Sequence, residues 1–192
     1  MPPRSRNPSP INKLKRSKPT NSTDRAVVLR KSINLWTRER PDLDGPTQQI
    51  RAGMLFLSTY MLREHDEIAA RFGITGAELR ILFRLRSVGP PFVLRPTDLF
   101  EALFVPSGTM TRQLDKLLTL GFVVRSRDEV VDRRSVTVRL TAKGQNAANR
   151  ALTEAVKTSA VSAAIGRLAE QDRNALRDLL KGMLDNFTDA LS

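Results

Sequence analysis

Ten residues in the middle of the chain, Ser107-Gly-Thr-Met-Thr-Arg-Gln-Leu-Asp-Lys116, gather the side chains best suited to gripping a polyanion. Wound as a helix, they put Met110 and Leu114 on the side of Leu117 and Leu118. Ser107, Thr109, Thr111, Arg112, Gln113 and Lys116 are left on the solvent side. Small hydroxyls at a helix N-terminus let the backbone come close to phosphate oxygens and bond them. An arginine such as Arg112 can hold guanine O6 and N7 with two parallel hydrogen bonds, and a glutamine such as Gln113 can pair with adenine N6 and N7. The same pattern suits an ordinary solvated helix face, so its neighbours must decide between the two.

Those neighbours are suggestive. Before the helix lie a short helix and a turn; after it the apolar period changes from 3.6 to 2. Phe122–Arg127 and Ser135–Leu140 alternate as strands, with Val136, Val138 and Leu140 inward against Thr137 and Arg139, and the polar segment Asp128–Arg134 joins them as a hairpin. Arg125, Arg127, Arg133, Arg134 and Arg139 crowd into this hairpin. Arginine at a hairpin tip can enter the narrow, electronegative minor groove. Asp132 sits among them, where an acid is unfavourable beside DNA unless it holds an arginine or the tip backbone in place. An edge hairpin kept soluble by its arginines is the plainer alternative.

Catalytic chemistry has little to work with. The chain of 192 residues has no cysteine and one histidine, His65, which excludes thiolate metal sites, disulfides and cysteine nucleophiles and leaves no histidine pair for a metal. No phosphate-cradling glycine motif is present either. His65, between Glu64 and Asp66, reads as a surface residue. No metal, no cofactor and no enzymatic activity are expected.

The net charge of +12 and an isoelectric point near 11.1 point to a polyanionic partner. Residues 1–31 hold nine Lys/Arg against Asp24 alone, and residues 74–144 carry a net +5. Residues 1–22, with five prolines and few apolar side chains, cannot offset the entropy of ordering and read as a disordered basic tail. No apolar stretch of signal-peptide type follows the basic start, and the longest uncharged apolar run, Ala52–Leu62, is too short to span a bilayer, so a soluble protein without a membrane partner is expected.

Elements are needed to position these groups. Ser22 or Thr23 can start a helix that must stop near Arg40, ahead of Pro41. Ile50, Met54, Leu57 and Met61 continue a helical stripe through Ile68 to Phe72. Thr75-Gly-Ala-Glu78 fits a capping box for a helix carrying Leu79, Leu82, Phe83 and Leu85. Phe92–Leu94 is extended, Pro96 opens a short helix, and residues 107–120 form the next. Thr141 caps a long alanine-rich helix to about Ile165, and a last helix runs from about Glu170. The fold class is mainly α with a small β-wing: a winged helix-turn-helix on a helical dimerisation layer. The expected divisions are the tail 1–22, N-terminal helices of a dimerisation and ligand layer at 23–73, the DNA-binding unit at 74–144 and C-terminal dimerisation helices at 145–192. A monomeric bundle is the competing arrangement.

Four motifs in register carry a family resemblance: Ser107-Gly-Thr-Met-Thr-Arg112, Leu117-Leu-Thr-Leu-Gly121-Phe-Val, Asp132-Arg-Arg134 and Leu140-Thr-Ala-Lys-Gly144. Together, residues 76–144 resemble the MarR family of winged-helix regulators. The resemblance implies a homodimer that binds pseudo-palindromic double-stranded operators as a ligand-released repressor in the bacterial cytoplasm, associated with the nucleoid. It also implies Arg134 as the minor-groove residue, with Arg133 beside it, and Asp132 as its positioning partner. Trp36-Thr-Arg-Glu-Arg-Pro41-Asp-Leu-Asp44 and Gly89-Pro-Pro-Phe92 look like the urate-responsive branch of that family. In that branch a tryptophan lines a pocket with an aspartate and an arginine; the matching positions here are Trp36, Arg80 and Gln113. Both polar contacts differ, one with reversed charge, which implies an anionic or carbonyl-rich aromatic effector in place of urate. The equally weighted alternative has Arg80 in solvent and Trp36 as a core anchor. A second class of function, a winged-helix interaction module tethered to nucleic acid by its basic tail, remains open from sequence alone.

Overall fold

The computed structural model describes Val27, Lys31, residues 38–128 and residues 132–190, with the backbone alone at 126–128 and 132–135. The segment 1–22 and Trp36 lie outside the described residues, as do the side chains of Asp132, Arg133 and Arg134. The chain divides into two units, Met1–Phe56 and Leu57–Ser192. In the first, Arg38 and Glu39 are helical and the helix stops at Arg40, as the following proline requires. Arg40 bridges both carboxylate oxygens of Asp42 at 2.8 and 2.6 Å across the turn. The Thr47 hydroxyl bonds the Asp44 carboxylate as α1 (Gly45–Ala70) begins, and that helix continues into the second unit.

The second unit is built around α2 (Gly76–Ser87), which packs against α3 (Pro96–Leu103), α4 (Ser107–Thr119), α5 (Ala142–Thr158) and the strand β3 (Asp132–Leu140). Leu79, Ile81, Leu82 and Leu85 from α2, Leu99 from α3, Met110, Leu114 and Leu117 from α4 and Ala148 and Ala151 from α5 form the core. The expected capping box is present: the Thr75 N–H donates to Glu78 Oε2 at 2.8 Å and the Glu78 N–H to the Thr75 hydroxyl at 3.3 Å. Asp66 of α1 accepts the Gly76 N–H at 2.8 Å, so close that a Cβ at Gly76 would stand 2.5 Å from its carboxylate.

The hairpin gains a third strand. The extended piece β1 (Val93–Leu94) pairs with β3, which pairs in turn with β2 (Val123–Asp128), giving the antiparallel order β1-β3-β2. Val138 and Leu140 point into the core as expected, but the alternation fails one pair further out. Val136 is 47% exposed whereas Thr137 is buried. Val136 pairs with Arg127, beyond the reach of the helices, so an apolar side chain there finds nothing to cover it.

The C-terminal helix expected to run unbroken to Ile165 is interrupted at Ser159, which separates α5 from α6 (Ala160–Gly166). The Ser159 hydroxyl donates to Glu64 Oε2 at 2.8 Å and accepts the Ser162 N–H at 3.1 Å, while the Ala160 N–H donates to Glu64 Oε1 at 2.9 Å. A carboxylate from α1 thus satisfies the new helix start, where a negative charge is also favoured by the helix dipole. The last helix, α7 (Glu170–Asp189), has no buried residue at all.

His65 is half-buried rather than on the surface, with its ring 5.7 Å from Phe83 in an edge-to-face contact and its Nδ1 buried without a partner. Burial first, and Arg80 next, hold its imidazole below the ordinary value of 6.5, against the opposing pull of Glu64 and Asp66. The unfolded chain therefore takes up this proton first. The stability supplied by neutral His65 is complete above about pH 6.5 and is lost as the pH falls toward the lowered folded value.

The end of α4 is a further close fit. Gly121 takes a left-handed backbone (φ 71°), with its N–H on Leu118 O and the Phe122 N–H on Leu117 O, the paired bonds of a Schellman stop. The Thr141 hydroxyl lies 2.8 Å from Gly121 O and 3.1 Å from Phe122 O, and accepts the Gly144 N–H at 3.0 Å. Lys143 Nζ donates to Leu120 O at 2.7 Å. A Cβ at Gly144 would fall 2.0 Å from Phe122 O, which explains the glycine of the Leu140–Gly144 motif.

Two outcomes are expected. Gly144→Ala costs more than about 2 kcal/mol in urea denaturation, because backbone must move to admit the methyl group. His65→Leu flattens the loss of stability that the wild type shows between about pH 7 and pH 5; an unchanged slope would place the titrating group elsewhere.

Candidate nucleic-acid interface

Burial divides α4 as its sequence suggested. Met110, Leu114 and Leu117 are buried, and Ser107, Gly108, Thr109, Thr111 and Arg112 are exposed. Pro106 precedes the helix and offers no side-chain cap, so its first N–H groups stay available to an incoming oxygen. The Thr111 hydroxyl donates to Ser107 O at 3.1 Å and turns its lone pairs outward. Arg112 makes no ion pair among the described residues and is the basic group of the helix presented outward from its first turns.

Of two further residues expected on the same exposed face, Lys116 is exposed but paired and Gln113 is half-buried. Lys116 lies back across the helix, with its Nζ 2.9 Å from Glu78 Oε2. Glu78 is 6% exposed in its side chain, so its charge is compensated by this lysine together with the Thr75 N–H. Lys116 therefore fastens α4 to the start of α2 and is not a free cation. Gln113 is half-buried, with its Oε1 buried and without a hydrogen-bond partner among the described residues. A glutamine amide free to reach a base edge would be solvated at that oxygen, so Gln113 faces inward at this point.

The hairpin arginines also differ in kind. Arg125 at the base of β2 bonds Asp115 of α4 at 2.7 Å, joining helix and hairpin. Sequence reasoning counted Arg125 among the free wing charges and did not use Asp115; ten residues of separation across a helix end gave no signal of the pair. Arg139 on β3 is exposed. The backbones of Arg133 and Arg134 belong to β3, one and two residues after Asp132, which pairs with Asp128 at the outer end of the hairpin.

Of the three residues matched to an effector pocket, Arg80 is half-buried on α2 and is the charged group whose field opposes protonation of His65. It is thus neither a fully solvated nor a core residue. Elsewhere in the same unit, an open cleft of about 540 Å³ is lined by Arg71, Phe72, Arg150, Glu154 and Lys157; Arg71 pairs with Glu154 and Arg150 lies over the Phe72 ring at 5.6 Å. Among the described residues no cluster of potential metal ligands occurs, and no helix is long and apolar enough to cross a membrane.

Comparison with known proteins agrees with this architecture. The model of the MarR family matches residues 72–135, from the end of α1 into β3. The HTH-type transcriptional regulator PecS of Dickeya dadantii is 30% identical over 148 residues, which cover 77% of this chain and 87% of that protein. A MarR transcriptional regulator from Methanosarcina mazei Go1 superposes with a TM-score of 0.63 at 25% identity, over 73% of this chain and 97% of its own. A mutant MarR from E. coli complexed with operator DNA shares the fold, with a TM-score of 0.58 at 24% identity over 78% of this chain and 98% of that one. Sequence and fold together establish that the chain belongs to the MarR family of DNA-binding transcriptional regulators and is not an enzyme.

Proposed function

We propose that the protein is a homodimeric repressor that reads a pseudo-palindromic operator and leaves it when a small anionic or carbonyl-rich aromatic effector binds. The observation that carries the reading is the uncapped, exposed first half of α4, held above a buried Met110–Leu114–Leu117 seam. In this reading Ser107, Thr109 and Thr111 approach phosphates and Arg112 bonds a guanine in the major groove. Lys116 sets the pose of this helix through Glu78, and Gln113, turned inward, is left to the proposed effector contact. Arg134, with Arg133, enters the flanking minor groove, and Asp132 positions the tip. The neighbouring fold solved on operator DNA supports a lobe of this kind on a duplex.

Dimerisation is supported by apolar surface that stays exposed among the described residues. On α7, Leu176, Leu179, Leu180, Met183, Leu184 and Phe187 are 38% to 71% exposed. A 20-residue helix with no buried side chain draws little stability from tertiary packing among the described residues, and in this reading a second copy supplies it. Residues 23–73 and 145–192 form the proposed dimer and ligand layer, residues 74–144 the DNA-reading unit and residues 1–22 a tail adding salt-sensitive, sequence-blind affinity. Two half-sites then lie roughly 10 bp apart, one helical turn. For the effector, the support is the resemblance to the urate-responsive branch together with the orphaned Gln113 oxygen and the half-buried Arg80 cation; Trp36 is its third proposed contact. The bacterial cytoplasm, on the nucleoid, is the proposed location.

Arg112→Ala is expected to weaken operator binding by about 1–3 kcal/mol and to relax one base position, read by titration on operator and random duplexes; equal loss on both would leave it a phosphate contact only. Arg134→Ala lowers operator affinity with little change on α4-contacted positions, and unchanged affinity would remove the wing from the minor groove. A panel of acidic aromatic metabolites contains a compound that changes Trp36 fluorescence and raises the melting temperature. No response across the panel would remove Trp36, Arg80 and Gln113 as an effector site.

A further inference from the structure

Among the described residues, two that are not glycine hold a left-handed backbone, Phe92 at φ 61° and Phe104 at φ 52°. For Phe92 the surroundings explain it. Its ring packs against the core, the Arg86 guanidinium lies 4.8 Å over it, and its carbonyl accepts the Leu140 N–H beside β1. Phe104 has nothing comparable: its side chain stands 85% exposed.

The backbone around Phe104 makes the contrast sharper. Its N–H bonds Glu101 O and the Val105 N–H bonds Phe100 O, closing α3 with the bond pattern that Gly121 uses to close α4. Glycine is the residue that takes this position without a Cβ clash. At Phe104 the chain instead carries a large apolar ring in a conformation that disfavours it, and leaves the ring in water. Neither local geometry nor packing accounts for the choice. Position does: Phe104 is three residues before Ser107, in the turn that delivers the exposed start of α4.

We propose that Phe104 is a specificity-determining contact of the DNA-reading surface, its ring packing on the C5-methyl group of a thymine at the edge of each half-site. Thymine is the base that offers an apolar group in the major groove, and phenylalanine is among the side chains that read it. The ring's exposure in the free protein is then the exposure of a surface awaiting DNA. The left-handed backbone fixes where the ring leaves the turn, so it meets the duplex in a set direction. This inference rests on the DNA-reading assignment of α4.

The test uses the full chain and an operator selected by it from random duplex. Phe104→Gly, and Phe104→Asn as a second residue tolerant of the left-handed region, melt no lower than wild type and bind the selected operator about fourfold or more weakly, the value of one buried methyl group. Replacing thymines by deoxyuridine one position at a time weakens the wild type by a similar factor at one position per half-site and leaves Phe104→Gly unaffected. Equal operator affinity of wild type and variants overturns the proposal, as does a loss of equal size on unrelated duplex. A lowered melting temperature in both variants overturns it as well, by making the ring structural. Failure of the wild type to select any sequence would instead remove the DNA-reading assignment itself.

Discussion

A single buried carboxylate holds the reading head together. Glu78 ends the capping box that starts α2 and at the same oxygen receives Lys116 of α4. Because α2 packs against α3, α4, α5 and β3, its first turn is the point from which the pose of every other element in the lobe is measured. A charge this deep is unfavourable without partners, and with both in place it fixes the distance between two helices more narrowly than apolar packing would. The surface beside it, from Ser107 to Arg112, can then remain uncapped and unpaired because the other side of the same helix is fully committed.

Much of this was legible in the chain. The capping box at Thr75–Glu78, the Pro41 stop, the seam of Met110, Leu114 and Leu117 and the glycine at Gly121 are local signals, each resolved within about two helical turns. What escaped depended on partners far along the sequence. Nothing in the alanine-rich stretch marks a break at Ser159, since its cause, Glu64, lies 95 residues away. Lys116 and Gln113 lie where a helical wheel puts an exposed face, and only the fold shows that the first is paired with Glu78 and that the second turns its oxygen inward. Val136 failed because alternation describes a strand's two faces and not how far the core beneath it extends.

The arginines of the hairpin illustrate how composition conceals division of labour. Counting charge treats Arg125 and Arg134 alike. Arg125 is engaged by Asp115, an exposed pair worth little in energy but enough to set direction between helix and strand. The motif residues around Thr141 are similar: the pattern Leu140–Gly144 is visible in sequence, while its reason, that any Cβ at Gly144 would stand 2.0 Å from the Phe122 carbonyl oxygen, is revealed only by the fold.

The Thr141–Gly121 contact also has a mechanical meaning. It makes the end of α4 and the start of α5 a common fulcrum, and α5 a lever of 17 residues, about 25 Å long. The far end of that lever is pinned at Ser159 by Glu64 of α1. With Ala147, Ala148 and Ala151 buried between these two anchors, α5 acts as a spacer that sets how far the end of α4 stands from α1.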